Sequence, residues 1–202
     1  MAPVTRKERS GERGHFLIET ALIYMPMLAM FFGVIDVSMI IFLQSTFTSS
    51  TRLAARFAIT YSSSYGSMSC TASQAACITQ VTEDNAVGFL SGSKSSYITV
   101  NYYTANDLTN PAESCNQGTC VVNPNGVSTA SMPQTLANGI VVNYVNQPGN
   151  VIQVEVVNYP WNWLLPISAK GYALTNAVTN LTASSMDVLG GLQPGQTGPP
   201  NP

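Results

Sequence analysis

From Phe16 to Leu43 apolar side chains follow one another almost without a break, and only Glu19 and Asp36 carry a formal charge. At about 1.5 Å per residue this stretch makes a helix about 42 Å long, more than a hydrocarbon core of about 30 Å requires. Each acid costs roughly 3 kcal/mol at the bilayer centre, against a gain of about 0.3 to 0.6 for each Leu, Ile, Phe or Val. Both acids lie away from the middle, and the residues between them, Thr20 to Ile35, carry no charge. The pattern predicts one membrane-spanning helix. It also predicts that the helix goes on: Ser45 to Phe57 lacks Gly and Pro, and Phe47, Leu53, Ala54, Phe57 and Ala58 recur near a 3.6-residue period beside Arg52 and Arg56. A helix from His15 to Thr60 is about 69 Å long. The alternative is two helices broken near Thr46 to Ser50. Tyr61-Ser62-Ser63-Ser64-Tyr65-Gly66 supplies the stop.

Beyond the stop the pattern changes. Ser73 to Leu90 reads as a short amphipathic helix with Ala75, Ile78, Val81, Ala86, Phe89 and Leu90 on its apolar side. Tyr97 to Tyr103, Ile140 to Val145, Val151 to Asn158 and Tyr172 to Thr182 are rich in Val, Tyr, Ile and Thr and read as strands. The turns Asn123-Pro124-Asn125-Gly126 and Gln147-Pro148-Gly149-Asn150 suit an antiparallel sheet. The expected fold is α+β: a long N-terminal membrane and stalk helix, then a small extracytoplasmic domain with a mostly antiparallel sheet, a lollipop. The expected boundaries are a basic leader at 1–14, the helix at 15–60, one domain at 61–187 and a Gly/Pro-rich disordered tail at 188–202.

Charge adds direction. The leader carries Arg6, Lys7, Arg9 and Arg13 against Glu8 and Glu12, and this Lys/Arg excess holds the N-terminus in the cytoplasm. A cleavable secretory signal is the competing reading, but its apolar core is only about 7 to 15 residues and ends at a small-residue site. This run is longer and ends in Gln44-Ser45-Thr46-Phe47-Thr48. In 61–187, Lys94 and Lys170 face Glu83, Asp84, Asp107, Glu113, Glu155 and Asp187, a formal net charge of −4. That balance argues against nucleic-acid binding by a basic patch.

An enzyme is also disfavoured. The one histidine, His15, lies at the membrane end, so no Ser-His-Asp or Cys-His site can form in the outer domain. Glu83 and Asp84 are adjacent and read as a solvated helix face, and Glu155 has no identifiable partner in sequence. No cofactor motif is present. A membrane-anchored adhesin or binding module remains open, with Tyr97, Tyr102, Tyr103, Tyr159, Trp161 and Trp163 as a candidate aromatic surface. Four cysteines, Cys70, Cys77, Cys115 and Cys120, fall on the extracytoplasmic side. They allow three disulfide connectivities, and the sequence does not fix one; local pairing of Cys70 with Cys77 and Cys115 with Cys120 is the expectation. Zinc competes, but the C-x6-C and C-x4-C spacings have no His nearby and the compartment oxidises thiols, so no metal is expected.

A carboxylate near membrane depth is by default functional, and the spacing around Glu19 is specific. Gly14 with Glu19 five positions later resembles the type IV prepilin processing motif. The following Glu19-Thr20-Ala21-Leu22-Ile23-Tyr24-Met25-Pro26, then Gly33-Val34-Ile35-Asp36 and Ala54-Ala55-Arg56, is similar to TadE-like minor pilins of the tight-adherence (Flp, type IVb) pilus. The resemblance covers residues 14–58. A weaker echo of the family's closing segment lies in Val154 to Pro160 and Leu164-Leu165-Pro166, and the middle, 60–150, shows none. Major Flp pilins carry Tyr directly after the motif Glu; Thr20 here favours a minor pilin.

The resemblance implies a pseudopilin cut after Gly14 by a prepilin peptidase, with His15 as the new N-terminus and Glu19 as the assembly carboxylate. It implies Ala21, Leu22, Pro26, Gly33, Asp36 and Arg56 as motif positions. The implied partners are the peptidase, major and minor pilins, an inner-membrane assembly platform and membrane lipid. The implied place is the bacterial inner membrane, single-pass, with the domain in the periplasm or carried into a surface pilus. In a helix bundle the freed amine and the Glu19 carboxylate neutralise each other, turning two costly groups into a registering contact.

Overall fold

The computed structural model describes residues 12–62, 64–70, 73–105, 107–122, 134–135, 141–142, 145–146, 148–163, 168–169, 172–173 and 178–190. Residues 1–11 of the expected leader at 1–14, the turn at 123–126, Leu164 to Pro166, Lys170 and the tail beyond 190 lie outside the described residues. The chain divides into two compact units. One comprises Met1–Ile41 and Asn162–Val178, the other Phe42–Trp161 and Thr179–Pro202.

The first element, α1, is one helix over Glu12–Ile59, with Pro26 inside it. The alternative break near Thr46 to Ser50 does not occur. No Gly or Pro interrupts that stretch, and its hydroxyls bond back to the helix itself: Thr46 Oγ1 donates to the Phe42 carbonyl at 2.9 Å and Thr48 Oγ1 to the Gln44 carbonyl at 2.7 Å. Within the first unit, α1 is apolar, and no described position from Phe16 to Ile35 is buried. Ser168–Ala169 and Tyr172–Ala173 pair there as a short antiparallel ribbon, β9 and β10 in chain order.

The second unit follows α1 with a small hairpin of β1 (Ser64–Tyr65) and β2 (Met68–Ser69), then α2 (Gln74–Asn85) and a 3-10 helix (Gly92–Tyr97). The sequence pattern runs α2 from Ser73 to Leu90, and the helix is shorter at both ends for local reasons. Ser73 is extended and its Oγ accepts the Ala76 N–H at 3.2 Å, which makes it the N-cap. Beyond Ala86, Val87 and Gly88 both have positive φ and end the helix.

A five-stranded sheet runs in the order β11 (Val178–Val188), β8 (Val151–Asn162), β3 (Ile98–Tyr103), β4 (Glu113–Asn116) and β5 (Thr119–Val122). Strand β3 is antiparallel to both β8 and β4, and β4 to β5. Gln117 and Gly118 turn the β4–β5 hairpin, both at positive φ as the tight hairpin turn requires. A further ribbon joins β6 (Gln134–Thr135) to β7 (Val141–Val142). Strand β8 is longer than the pattern indicates, running through Pro160 to Asn162. The expected strand at 172–182 resolves into β10 and the start of β11.

Alternation along β8 points Ile152, Val154 and Val156 inward, matched by Ile98, Val100 and Tyr102 of β3. Of these, Val100, Tyr102, Ile152 and Val154 pack with Ala75, Ile78 and Val81 of α2 and with Ala54, Ala55, Ala58 and Tyr61 at the end of α1. Three alanines in that last stretch let the helix backbone approach closely. Each fully buried Val or Ile contributes about 1.5 to 3 kcal/mol, so the end of α1 belongs to the domain core.

Candidate functional site

The motif residues gather on one line of α1. Glu19, Pro26 and Gly33 recur every seven residues, and Leu22, Ala29 and Asp36 do the same three positions on. Such a repeat drifts only about 20° per heptad on a straight helix, so these six side chains form one seam. Downstream the same register continues through Leu43, Phe47, Ser50 and Ala54, all buried. Upstream it is open: among the described residues from Phe16 to Ile35 none is buried, and Leu22 is 73 % exposed. Asp36 is the first buried position. This motif acid thus falls where the exposed stretch gives way to a covered one.

Glu19 lies on the exposed stretch, flanked by Phe16, Thr20, Ile23 and Tyr24 in a shallow open groove. Thr20 Oγ1 donates to the Phe16 carbonyl at 2.8 Å and Ser38 Oγ to the Val34 carbonyl at 2.7 Å, so these hydroxyls are satisfied without water. Glu19 has no such bond among the described residues. Pro26 removes the N–H that would meet the Leu22 carbonyl one turn earlier, leaving a backbone acceptor on the seam. A Cβ added at Gly33 would meet nothing within 4 Å, so among the described residues nothing uses the close approach this glycine permits. Ala21 is exposed and lies off the seam, as does Arg56. Gly14 and His15 lie in the first turns of α1. Residues 16–59 form a helix long and apolar enough to cross a bilayer, which fits a single-pass anchor.

In the second unit the four cysteines form two local disulfides, Cys70–Cys77 and Cys115–Cys120. The first ties the hairpin β1–β2 to the start of α2; the second links directly opposed residues of β4 and β5. Glu113, Cys115 and Cys120 bring three potential ligand atoms within 4.8 Å of one another. The two sulfurs are bonded to each other, which leaves a single carboxylate oxygen as donor.

The aromatic surface proposed from sequence is largely internal. Tyr102 and Tyr103 are buried, and Tyr159 packs between Phe47 at 5.0 Å and Tyr97 at 5.6 Å. Burial pushes the Tyr102 phenol well above its ordinary range, with the charges of Glu113 and Tyr61 adding to the shift; burial alone does the same to Tyr61. Asp107, in contrast, is held below the usual carboxylate range by the Asn110 and Thr109 backbone N–H groups and the Asn110 side chain. Glu155 does have a partner: Asn101 Nδ2 donates to it at 2.8 Å across the outer face of the sheet.

Sequence reasoning missed a buried polar chain. Tyr61 OH donates to the Asn146 carbonyl at 2.7 Å, Asn146 Nδ2 to Gln74 Oε1 at 3.2 Å, and Gln74 Nε2 to the Ala58 carbonyl at 2.9 Å. It satisfies a carbonyl in the last turn of α1 and locks that turn to α2 and to the 145–150 loop. The one available signal was Gln74 directly beside the apolar positions of α2.

These features define an α+β protein with a long apolar N-terminal helix followed by an antiparallel-sheet domain. Residues 14–56 match the family model described as TadE-like protein, so this segment of the chain is TadE-like. No curated protein and no solved structure matches the chain.

Proposed function

We propose that this chain is a minor pilin of a tight-adherence pilus, anchored in the inner membrane with its N-terminus in the cytoplasm and its domain outside. A prepilin peptidase removes residues 1–14, and the protein then acts in pilus biogenesis and adhesion as a structural component, with no catalytic site of its own. The observation that carries this reading is the open seam of Glu19, Leu22, Pro26, Ala29 and Gly33 in a TadE-like segment. A lipid-facing anchor has no use for a carboxylate, a missing backbone donor and a glycine on one line, whereas a helix that packs against other pilin helices uses all three.

Cleavage after Gly14 places the new amine one turn before Glu19, at the i, i+4 spacing, within reach in the same chain or in a neighbour. Glu19→Ala tests the pairing. It removes a charge from the apolar run, so membrane insertion stays intact, while the amine is left without a partner in a low-dielectric bundle. The expected outcome is normal membrane content with impaired piliation; normal piliation would return the segment to a simple anchor. The alternative of an anchored binding module is weakened by the burial of Tyr102, Tyr103 and Tyr159.

A further inference from the structure

In the sheet unit, the stretch of α1 that follows Ile41 is flanked by an unusual set of side chains. Phe42, half exposed, stacks edge-on against Phe89 at 6.3 Å. The connection from α2 to the 3-10 helix therefore lies beside Phe42. In that connection Val87 holds φ at +53° and is 68 % exposed. A β-branched residue in the left-handed region is strained by about 1 to 3 kcal/mol. Asn or Gly at this position would relieve that strain.

Five residues along α1, about 7.5 Å further on, the surroundings turn amphipathic. There Phe47 meets Tyr159, and Lys94 lies over the Tyr159 ring with Nζ 5.6 Å from its centre and 3.3 Å from its hydroxyl. Among the described residues after Arg56, Lys94 is the one basic side chain. Val87, Phe89 and Phe42 first, then Tyr and Lys, is the order of a bilayer interface, with apolar groups at the acyl boundary and aromatic and cationic groups among the headgroups. The depth agrees: an acyl core of about 30 Å that ends at Leu43 begins about 20 residues earlier, within the apolar run, and leaves the level of Phe47 about 6 Å further out, among the headgroups.

We infer that the Val87–Phe89 tip is a lipid-contact surface that seats in the outer headgroup layer of the bilayer α1 crosses, with Lys94 behind it meeting phospholipid phosphate. This rests on reading α1 as a membrane span and adds a second point of membrane contact, one that fixes how the domain stands on the lipid.

The test uses the full chain reconstituted in phosphatidylethanolamine/phosphatidylglycerol vesicles that contain a phospholipid with a diazirine near its glycerol. On photolysis, the peptide carrying Val87 to Leu90 is expected to take up several-fold more label than the peptide carrying Leu108. Leu108 is also apolar and 56 % exposed, but it follows the far end of β3, about 20 Å along that strand from the end joined to Tyr97. Val87→Asn, which tolerates the left-handed backbone, should lose the label while the domain keeps or gains thermal stability. Equal labelling of the two peptides, or unchanged labelling in Val87→Asn, overturns the proposal. Cross-linking of the tip to a second copy in place of lipid overturns it in favour of a protein interface. A second lipid with its diazirine in the acyl chain separates the two claims: label on Met25 to Phe31 from this second lipid, without label on the tip from the glycerol-region probe, sinks the tip alone, and no label from either lipid sinks the span and the tip together.

Discussion

Two stretches of α1, residues 16–35 and 36–58, share one helix and one seven-residue register but live by different rules. In the second stretch the register positions Leu43, Phe47, Ser50 and Ala54 are buried, and the small residues that follow enter the domain core. In the first, the corresponding positions hold Glu19, Leu22, Pro26, Ala29 and Gly33, none of them buried among the described residues. Where its own chain covers the seam, the helix uses, after the buried Asp36 that opens the stretch, large apolar and small residues and breaks no backbone rule. Where it is left open, the helix carries a charge, a missing donor and a bare backbone face. Rule-breaking of this kind belongs to surfaces whose partner comes from elsewhere.

The sharpest way to break this contrast is to truncate one apolar side chain in each stretch. Phe47→Ala should destabilise the domain by about 3 to 5 kcal/mol, since it empties a buried site against Tyr159. Met30→Ala, at a position 77 % exposed, should leave the domain's thermal unfolding within about 0.5 kcal/mol of the parent. Comparable losses in both would erase the distinction.

A smaller effect is expected where the covered stretch ends. Gln74→Leu removes the bonds that Gln74 makes to the Ala58 carbonyl and to the Asn146 amide and should cost about 1 to 3 kcal/mol in chemical unfolding. No loss would mean that α1 is held to the domain by apolar contact alone.

Smaller again is the alkaline limit. Burial raises the Tyr61 phenol in the folded state above its unfolded value of about 10. The protonated phenol's contribution is therefore fully present below pH 10 and is lost as pH rises through the folded value. Tyr61→Phe should cost about 1 kcal/mol at neutral pH through the lost bond to Asn146, while making the fall in stability above pH 10 shallower. Tyr102, Tyr103 and Tyr65, shifted in the same direction, contribute to the slope that remains.

Much of this was legible in sequence because it follows from periodicity and from groups with few options. The long helix, the strands rich in Val, Ile and Tyr, and the Gly14/Glu19 spacing all speak through local pattern. The strand ends did not: β8 runs through Pro160, where a rule about missing donors advises a stop, and α2 ends at a strained Val87 that no propensity scale favours. The Tyr61–Asn146–Gln74 chain was hidden because its members lie 85 and 72 residues apart and meet only when the sheet has formed. Glu155 seemed unpartnered for the same reason, since Asn101 comes from the neighbouring strand.

The central claim is that the open stretch of α1 is a processed pilin segment, and the mature N-terminus tests it most directly. Mass spectrometry of the protein from cells with an active prepilin peptidase should find His15 as the first residue, and the full leader when the peptidase is absent. Gly14→Val should block the cut. A chain that begins at Met1 or Ala2 with the peptidase present would contradict the account.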